Sequence, residues 1–398
     1  MTVALPDAAA LDAADPLAPL RERFLPTDAV AYLDGNSLGR PLGASAERLR
    51  DAVEREWAGR LIRGWDDGWL DLPLAIGDDL GRVVLGAAPG QVVVGDSTSV
   101  LLYKLIRAGL ALAAGRDEIV LSRDDFPTDR YVLEGIAAET GATLRWVEGD
   151  PAPDAVAALL GERTALVVLS HVGYRSGALV DAASVTALAR AAGALTLWDL
   201  SHSAGVVPVD LDGWGADLAV GCGYKYLNGG PGAPAFAYVA ARHLGLFRQP
   251  IQGWLGSASP FEMGQGYRPA EGIRRVLSGT PPILGMQALR PAIALIEEAG
   301  MPAIRAKSAA LTTLAIELAD ALLPDALLAT PRDPARRGGH ITLDQPGFER
   351  IMPALWARGV IPDFRRPSGI RLGLSPLSTS FDEVEVGIRA IAEELGAR

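Results

Sequence analysis

The sequence predicts an α/β protein with a mostly parallel sheet covered by helices on both faces, followed by a smaller C-terminal α+β domain. Apolar runs of strand length alternate with helix-length stretches from about residue 90 to residue 240. Several runs, such as 164–170, are continuously apolar, which is typical of strands buried on both faces. Beyond residue 280 this rhythm gives way to long helical runs with weaker strand signals. Alternating strands and helices predict a parallel sheet for the first part.

Each element follows from one such run. Strands of a seven-stranded sheet are predicted at 91–95, 118–122, 142–147, 164–170, 194–200, 218–221 and 235–239. Helices between them are predicted at 99–114, 129–140 and 181–192. In the C-terminal part, helices are predicted at 283–299 and 303–323, strands at 340–343 and 369–374, and a closing helix after Phe381.

Three regions follow from these patterns. Residues 1–60 are predicted to be an N-terminal arm that packs with the small domain, since the first 30 are rich in Ala, Asp and Pro. Residues 61–282 form the large domain, and the sequence Thr280-Pro281-Pro282 interrupts the chain at its end. Residues 283–398 form the small domain.

Composition narrows the class of protein. The 398 residues carry a formal charge of −11, which argues against a protein that binds nucleic-acid phosphates. The single cysteine and four scattered histidines predict neither disulfides nor a metal site. The N-terminus has acids where a signal peptide carries Lys or Arg, and no run approaches the roughly 18 apolar residues of a membrane span. We therefore expect a cytosolic protein.

Working residues of an open α/β sheet lie just beyond the carboxyl ends of its strands. In this sequence those positions hold small hydroxyls at a helix start, an aromatic beside a carboxylate, a serine, a strand-end acid, and a lysine between tyrosines. They are Thr98 and Ser99, Phe126 and Asp129, Ser170, Asp199, and Lys225. Hydroxyls and free amides at a helix start suit a phosphate, although plain helix capping explains them equally well.

The order of these residue types along the chain suits a site for pyridoxal phosphate. That cofactor needs an amine for its Schiff base, a carboxylate that keeps its ring nitrogen protonated, an aromatic surface and a phosphate anchor. The chain has only three lysines, Lys104, Lys225 and Lys307. Lys104 and Lys307 fall in predicted helices and are expected on solvated faces. We therefore predict that Lys225 forms the Schiff base.

At this point the sequence resembles the kynureninase family of fold-type I pyridoxal-phosphate enzymes. The similar segments run in order along the chain, and six in order are highly specific although each is weak alone. They are 32–39 (YLDGNSLG), 126–129 (FPTD), 199–202 (DLSH), 224–228 (YKYLN), 253–256 (GWLG) and 279–282 (GTPP), followed by Arg371 with 375–377 (SPL). The likeness extends from about residue 30 to the end.

The resemblance implies roles for individual residues. Lys225 would carry the cofactor and move protons, and Asp199 would pair with its ring nitrogen. Further cofactor contacts would be Thr98, Ser99, Phe126, Pro127, Thr128, Asp129, Ser170, His202 and Tyr224. Trp254 and Thr280 would reach in from the neighbouring subunit, which implies a homodimer. Arg371 would bind the substrate carboxylate through its planar fork.

The resemblance also implies the reaction, hydrolysis of L-kynurenine to anthranilate and L-alanine in tryptophan catabolism. Tyr224 is a candidate acid or base for the addition of water. Trp65, Gly279 and Thr280 resemble the ring pocket of bacterial members that favour unsubstituted kynurenine. We therefore predict a preference for kynurenine over 3-hydroxykynurenine. After Arg371 the family often has the sequence Pro-Leu-Tyr. This chain has Ser378 in place of the tyrosine, so the resemblance implies no role for Ser378.

Other functions stay open at this stage. The segment 35–39 (GNSLG) matches the nucleophile motif of serine hydrolases, with Ser37 as nucleophile, but no long strand precedes it. A class V aminotransferase would use the same cofactor and is not excluded by spacing. A cysteine desulfurase would need a mobile thiolate, whereas Cys222 lies in an apolar strand. A non-catalytic binding protein of the same fold would have no need to keep Lys225, Asp199 and Arg371 together.

Overall fold

The computed structural model describes residues 7–113 and 115–396. The first six residues of the predicted arm and the last residue of the predicted helix 99–114 lie outside the described residues. The strands are β1 Ala31–Tyr32, β2 Val92–Val94, β3 Glu118–Ser122, β4 Thr143–Val147, β5 Thr164–Ser170, β6 Leu195–Asp199, β7 Leu218–Gly221, β8 Phe236–Val239, β9 Leu327–Leu328, β10 His340–Asp344, β11 Val360–Ile361, β12 Asp363–Arg365 and β13 Gly369–Gly373.

Helices occupy much of the rest. They are α1 Ala8–Ala13, α2 Gly43–Asp51, α3 Ala58–Arg60, α4 Leu72–Leu80, α5 Thr98–Leu112, α6 Pro127–Thr140, α7 Pro153–Ala157, α8 Ala182–Ala191, α9 Leu211–Trp214, α10 Ala241–Leu244, α11 Ile283–Gln287, α12 Leu289–Ala299, α13 Met301–Leu322, α14 Phe348–Ala357 and α15 Phe381–Gly396. Short 3-10 turns lie at Ala18–Arg23, Leu61–Trp65, Trp254–Gly256, Gly272–Val276 and Pro334–Arg336, and π-helical turns at Ala52–Trp57 and Gly81–Leu85.

The large sheet confirms the predicted fold class. Within the described part of the chain, it holds seven strands in the order β2-β8-β7-β6-β5-β3-β4. Strand β8 pairs antiparallel with β2 and β7, and the other neighbouring strands pair parallel. The carboxyl ends of β2, β3, β5, β6 and β7 therefore lie at one edge of the sheet, where the predicted site residues follow them.

Burial on both faces explains the continuously apolar strands. In β5, Val167 and Leu169 pack in one apolar cluster with α8 and α12, whereas Leu166 and Val168 pack in another with α5 and α6. Successive side chains of a strand point to opposite faces, so a strand with helices on both sides needs apolar residues throughout. Every residue of β5 is buried.

A second, four-stranded antiparallel sheet forms near the C-terminus, in the order β12-β13-β10-β9. Helices α13, α14 and α15 share an apolar cluster with it, and this cluster also takes in Ala8, Ala31 and Leu33 from the N-terminal segment. Leu17, Phe24 and Leu42 instead pack in a cluster of the large sheet, together with α11 and α12. The divisions at residues 60 and 282 stay predictions.

The segment 32–39 connects the two sheets at the predicted site. Strand β1 pairs parallel with β11, and Asp34 bridges to Gly373 of β13. At its other end, the Gly39 amide donates to the Tyr224 carbonyl at 2.8 Å. A Cβ at Gly39 would lie 2.3 Å from the carbonyl oxygen of Lys225, so only glycine fits there.

The expectation that Lys104 and Lys307 lie on solvated helix faces is wrong. The Lys104 side chain is fully buried and pairs with Asp96, and the Lys307 side chain is nearly so and pairs with Asp15 at 2.7 Å. Both lysines lie on helix faces that turn inward, where a carboxylate offsets the cost of burying an ammonium. In this arginine-rich chain, two of the three lysines therefore form buried ion pairs.

Among residues 7–113 and 115–396, no helix has both the length and the apolar character needed to cross a bilayer.

Candidate active site

Lys225 lies in the turn that follows β7, with its amine at the carboxyl edge of the large sheet. Its Nζ is 3.0 Å from His202 Nε2. Burial, with Lys225 and His340 nearby, lowers the pKa of His202 well below its ordinary value, so the imidazole is neutral. A neutral imidazole can accept a hydrogen bond from the lysine amine and fix its position.

Three buried carboxylates lie at this edge of the sheet. Asp199 ends β6 and accepts from the Ser201 amide at 2.8 Å. Asp125 accepts from the amides of Ser170 at 3.0 Å and Ser122 at 3.1 Å, and burial raises its pKa to about 6. Burial, followed by the charges of Asp199 and Asp125, raises the pKa of Asp129 well above its usual range. The protonated form of Asp129 is therefore favoured.

The start of α5 presents hydroxyls that the helix itself does not use. Ser97 precedes the helix and makes no capping hydrogen bond, and no side chain caps this helix. Ser99 is exposed and Thr98 is half-buried. Plain capping does not explain this group. A helix of 15 residues leaves free amides at its start, so an anion is favoured there.

Aromatic side chains lie beside the Lys225 amine. The Phe126 ring centroid is 5.8 Å from Lys225 Nζ, and the Tyr224 centroid is 5.9 Å from it. Tyr174 packs edge-on against Phe126, with 5.3 Å between centroids and an interplanar angle of 83°. Burial raises the pKa of the Tyr224 phenol, which therefore stays protonated.

Arg371 of β13 lies where the small sheet meets this edge, and its side chain is 1% exposed. Its Nη1 donates to the Tyr174 carbonyl and its Nη2 to Ser37 Oγ, both at 2.7 Å. Asp363 lies 2.6 Å from Nη2 and Asp34 lies 3.9 Å from it. The guanidinium is thus held by groups from three separate segments of the chain, which fixes its orientation.

Ten predicted residues line one cavity. They are Thr98, Ser99, Phe126, Thr128, Asp129, Ser170, Asp199, His202, Tyr224 and Lys225. Pro127 begins α6 directly after Phe126. Six predicted residues do not line this cavity in the single chain, namely Pro127, Trp254, Thr280, Trp65, Gly279 and Arg371. Gly279 and Thr280 are exposed.

Trp65 and Trp254 belong to an aromatic cluster outside the cavity. Their ring centroids are 6.3 Å apart, Trp65 packs edge-on against Trp69 at 5.8 Å, and Trp254 packs against Phe261 at 5.7 Å. Neither this cluster nor the exposed Gly279-Thr280 pair lines the cavity around Lys225.

The residues present fit pyridoxal phosphate. The cavity provides an amine, a buried carboxylate for a cationic ring nitrogen, an aromatic face and uncapped hydroxyls at a helix start. His202 Nδ1 is buried without a hydrogen-bond partner among the described residues, so it is available to a group bound in the cavity. The described residues hold no group of three or more metal-ligating side chains. The donor set suits an organic cofactor with a phosphate rather than a metal ion.

Four residues near the site were missed by sequence reasoning. Tyr174 and Ser201 line the cavity, Asp125 joins the ends of β3 and β5, and Ser37 contacts Arg371. The strand-end rule also covers Tyr174 and Asp125, because each follows a predicted strand within a few residues. For Ser37 itself, the sequence suggests a role only as a hydrolase nucleophile, although it lies in the family-like segment 32–39. The contact with Arg371 holds its hydroxyl, and His202 faces Lys225 instead.

Comparison with known proteins decides the family. Residues 304–391 match the model of the kynureninase C-terminal domain. The chain is 43% identical to the kynureninase of Pseudomonas fluorescens, over 98% of this chain and 95% of that protein. It is 44% identical to the kynureninase of Burkholderia pseudomallei (strain 1106a), with the same coverage. The chain belongs to the kynureninase family.

Solved structures resemble the fold of this family member at lower identity. A cysteine desulfurase from Thermococcus onnurineus NA1 aligns with a TM-score of 0.84 and 21% identity, covering 96% of this chain and 98% of that chain. A variant of C-DES with glycine covalently linked to its pyridoxal phosphate aligns with a TM-score of 0.83 and 19% identity, covering 94% and 99%. The fold is therefore that of fold-type I pyridoxal-phosphate enzymes.

A desulfurase role has no support from the cysteine of this family member. Cys222 is a buried free thiol in the turn after β7, and its Sγ faces the Ser201 carbonyl at 3.8 Å. Burial raises the pKa of this thiol, which disfavours the thiolate that such chemistry needs.

Proposed function

We propose that the chain hydrolyses L-kynurenine to anthranilate and L-alanine at the cavity around Lys225. As a member of its family, the chain is a hydrolase that uses pyridoxal phosphate and acts on a carbon–carbon bond of a ketone. One observation supports the assignment of the site. Lys225, Asp199, Phe126 and the α5 hydroxyls line the same cavity, and they are the types of group that this cofactor needs.

Each part of the cavity has a role in holding the cofactor. Lys225 would be the amine that joins it, and Asp199 would pair with its ring nitrogen. Phe126 would cover one ring face, and Thr98, Ser99 and Tyr224 would hold the phosphate. Burial, followed by the charge of Asp199, raises the pKa of Asp129, and in its protonated form this carboxyl can donate a hydrogen bond to a neighbouring oxygen.

When bound, pyridoxal phosphate supplies an electron sink that acidifies the substrate α-carbon and permits cleavage of the Cβ–Cγ bond. The Lys225 amine carries protons to and from the α-carbon, positioned by the 3.0 Å contact with His202. Because burial keeps the His202 imidazole neutral, the ring can accept a hydrogen bond from the Lys225 amine without adding a second positive charge.

Tyr224 is proposed to donate the proton that is needed when water adds to the γ-carbonyl of the substrate. Its phenol is protonated because burial raises its pKa, so it acts as a donor at neutral pH. Arg371 binds the α-carboxylate of the substrate. Ser37 and the Tyr174 carbonyl hold its fork in place before substrate arrives, which lowers the cost of ordering it on binding.

Turnover of L-kynurenine by the purified protein with pyridoxal phosphate tests the function. We expect anthranilate, followed by its fluorescence, and one equivalent of L-alanine. An aminotransferase of the same fold would need an added keto acid and would not release alanine together with anthranilate. Absence of anthranilate from protein that has bound the cofactor would contradict the proposal.

We further propose that the enzyme prefers kynurenine to 3-hydroxykynurenine. Trp65 lies in an aromatic cluster, and Gly279 offers no side chain as a partner for a ring hydroxyl. Burying a hydroxyl without a partner costs affinity. We expect kcat/KM for kynurenine to exceed that for 3-hydroxykynurenine by about tenfold or more. Equal values for the two substrates would contradict this, and the variant G279S/T280N is expected to narrow the difference.

The working unit is proposed to be a homodimer with shared sites. The Gly279-Thr280 pair is exposed, and apolar side chains of the segment 57–62 and of the loop 261–263 are largely solvent-facing in the single chain. Ile62 is 76% exposed and Met263 is 74% exposed. Exposed apolar side chains of this size are typical of protein interfaces. A second copy of the chain would cover them and receive Trp254 and Thr280 into its cavity.

Subunit mixing tests the shared site. The variants K225A and W254A/T280A are each expected to be nearly inactive as homodimers, because each lacks one part of every site. Co-refolding them in equal amounts is expected to restore roughly a quarter of wild-type activity, since half the dimers are mixed and each has one complete site. No gain over the separate variants would place Trp254 and Thr280 in their own chain's site.

A further inference from the structure

Lys104 is a buried cation just below the predicted phosphate site. It lies on α5, two turns into the helix, and its side chain is fully buried. Its Nζ donates to Asp96 Oδ2 at 2.6 Å and to the Val276 carbonyl at 2.9 Å. Burial lowers the pKa of the Lys104 ammonium, and the bond to Asp96 works against that shift. This pair is not part of the chemistry assigned to the site.

Asp96 is an acid at the place that should receive a dianion. It follows β2 and stands directly before the Ser97-Thr98-Ser99 segment. Its φ is +51°, an uncommon conformation for a residue other than glycine, and its carbonyl accepts from the Ala235 amide at 3.1 Å. The Asp96 side chain is 31% exposed. An uncompensated carboxylate here would repel a phosphate bound at Thr98 and Ser99.

The second contact of Lys104 reaches the segment that carries Thr280. Val276 lies four residues before Thr280, in the apolar cluster that also holds Val93 and Leu101. Two residues on, the Ser278 carbonyl accepts from the Leu255 amide at 3.1 Å, which ties this segment to Trp254. The Lys104 ammonium therefore contacts both Asp96, next to the phosphate loop, and the segment of the same chain that is proposed to enter the partner's site.

We propose that Lys104 is a positioning residue for the cofactor phosphate, because it neutralises Asp96 beside the phosphate loop. The inference rests on the proposed function, since it assumes that pyridoxal phosphate binds at Thr98 and Ser99. It goes beyond that function by assigning phosphate affinity to a side chain that does not itself line the cavity.

Charge deletion separates this role from packing. In K104M the Asp96 carboxylate loses its partner. We expect this variant to bind pyridoxal phosphate about tenfold or more weakly than the wild type does, and the bound phosphate to show a changed ³¹P chemical shift. In D96N/K104M both charges are absent, and we expect the dissociation constant to return to within about threefold of wild type. Binding of pyridoxal, which lacks the phosphate, is expected to be the same in all of these proteins.

The chain offers a matched control. K307M removes the ammonium of the other buried lysine–aspartate pair, Lys307 with Asp15. We expect it to lower the Tm while leaving the cofactor dissociation constant and the ³¹P shift unchanged. This control shows that losing a buried ion pair does not by itself weaken phosphate binding.

The outcomes are distinguishable. If the wild-type protein binds no pyridoxal phosphate, the proposed function fails. If the wild type binds it and K104M binds it equally well with the same ³¹P shift, the role of Lys104 is refuted. An equal loss of affinity for pyridoxal and pyridoxal phosphate would also refute it. If K104M does not fold, D96N/K104M decides, because a tenfold weaker dissociation constant in that charge-free pair contradicts neutralisation as the role of Lys104.

Discussion

Replacing Lys225 with alanine is expected to lower the kcat for kynurenine by about 10⁴-fold. The amine is the group that joins the cofactor and carries protons, and the described cavity has no second lysine to replace it. Lys104 and Lys307 are buried in ion pairs with Asp96 and Asp15. The rate is measured as anthranilate release, and the visible absorbance of the lysine-bound cofactor should disappear in the same protein.

The variant K225R is the control for charge. It keeps a cation beside His202, but a guanidinium stays protonated and cannot join an aldehyde. We expect it to be as inactive as K225A and to have a similar Tm to wild type. Substantial turnover by K225R would mean that Lys225 acts only through its charge.

Replacing Arg371 with lysine is expected to raise the KM for kynurenine by about 10²-fold while changing kcat much less. Lysine can keep the ion pair with Asp363, which lies 2.6 Å from the guanidinium, so the buried carboxylate stays compensated. An ammonium has three N–H donors and a guanidinium five, so lysine cannot keep the contacts with Ser37, the Tyr174 carbonyl and Asp363 and also donate to a substrate carboxylate. Steady-state kinetics on variant and wild type measure the split.

Arg175 provides the matched control for this prediction. It is the residue after Tyr174 and pairs with Asp344 of the small sheet at 2.5 Å. R175K is expected to leave the KM unchanged, because Arg175 is assigned no substrate contact. An unchanged KM in R371K, or an equal rise in both variants, would remove the carboxylate-binding role from Arg371.

The large sheet could be predicted because its strands are buried on both faces. A strand such as β5 must be apolar throughout, and that run is visible without any partner. Strands β1, β11 and β12 have two or three residues each and were not predicted. They exist because tertiary contacts bring backbones together, as where β1 meets β11, and such pairings have no local signal in the sequence.

The site was predictable where residues follow strand ends. Asp199 ends β6 and Lys225 follows β7, so topology alone brings them to one edge. The orientation of Arg371 was not predictable, because it depends on Ser37, Tyr174 and Asp363 from distant segments. Lys104 and Lys307 show the same limit. Their helices were predicted, but which face turned inward depended on the acids at 96 and 15.

Trapping the covalent bond between protein and cofactor tests the central claim most directly. The holoenzyme is treated with borohydride, digested and mapped by mass spectrometry for the pyridoxyl label. The cavity predicts that the label lies on Lys225 and that K225A takes none. A label on Lys104 or Lys307, or an unlabelled wild-type protein that still releases anthranilate, would contradict the account.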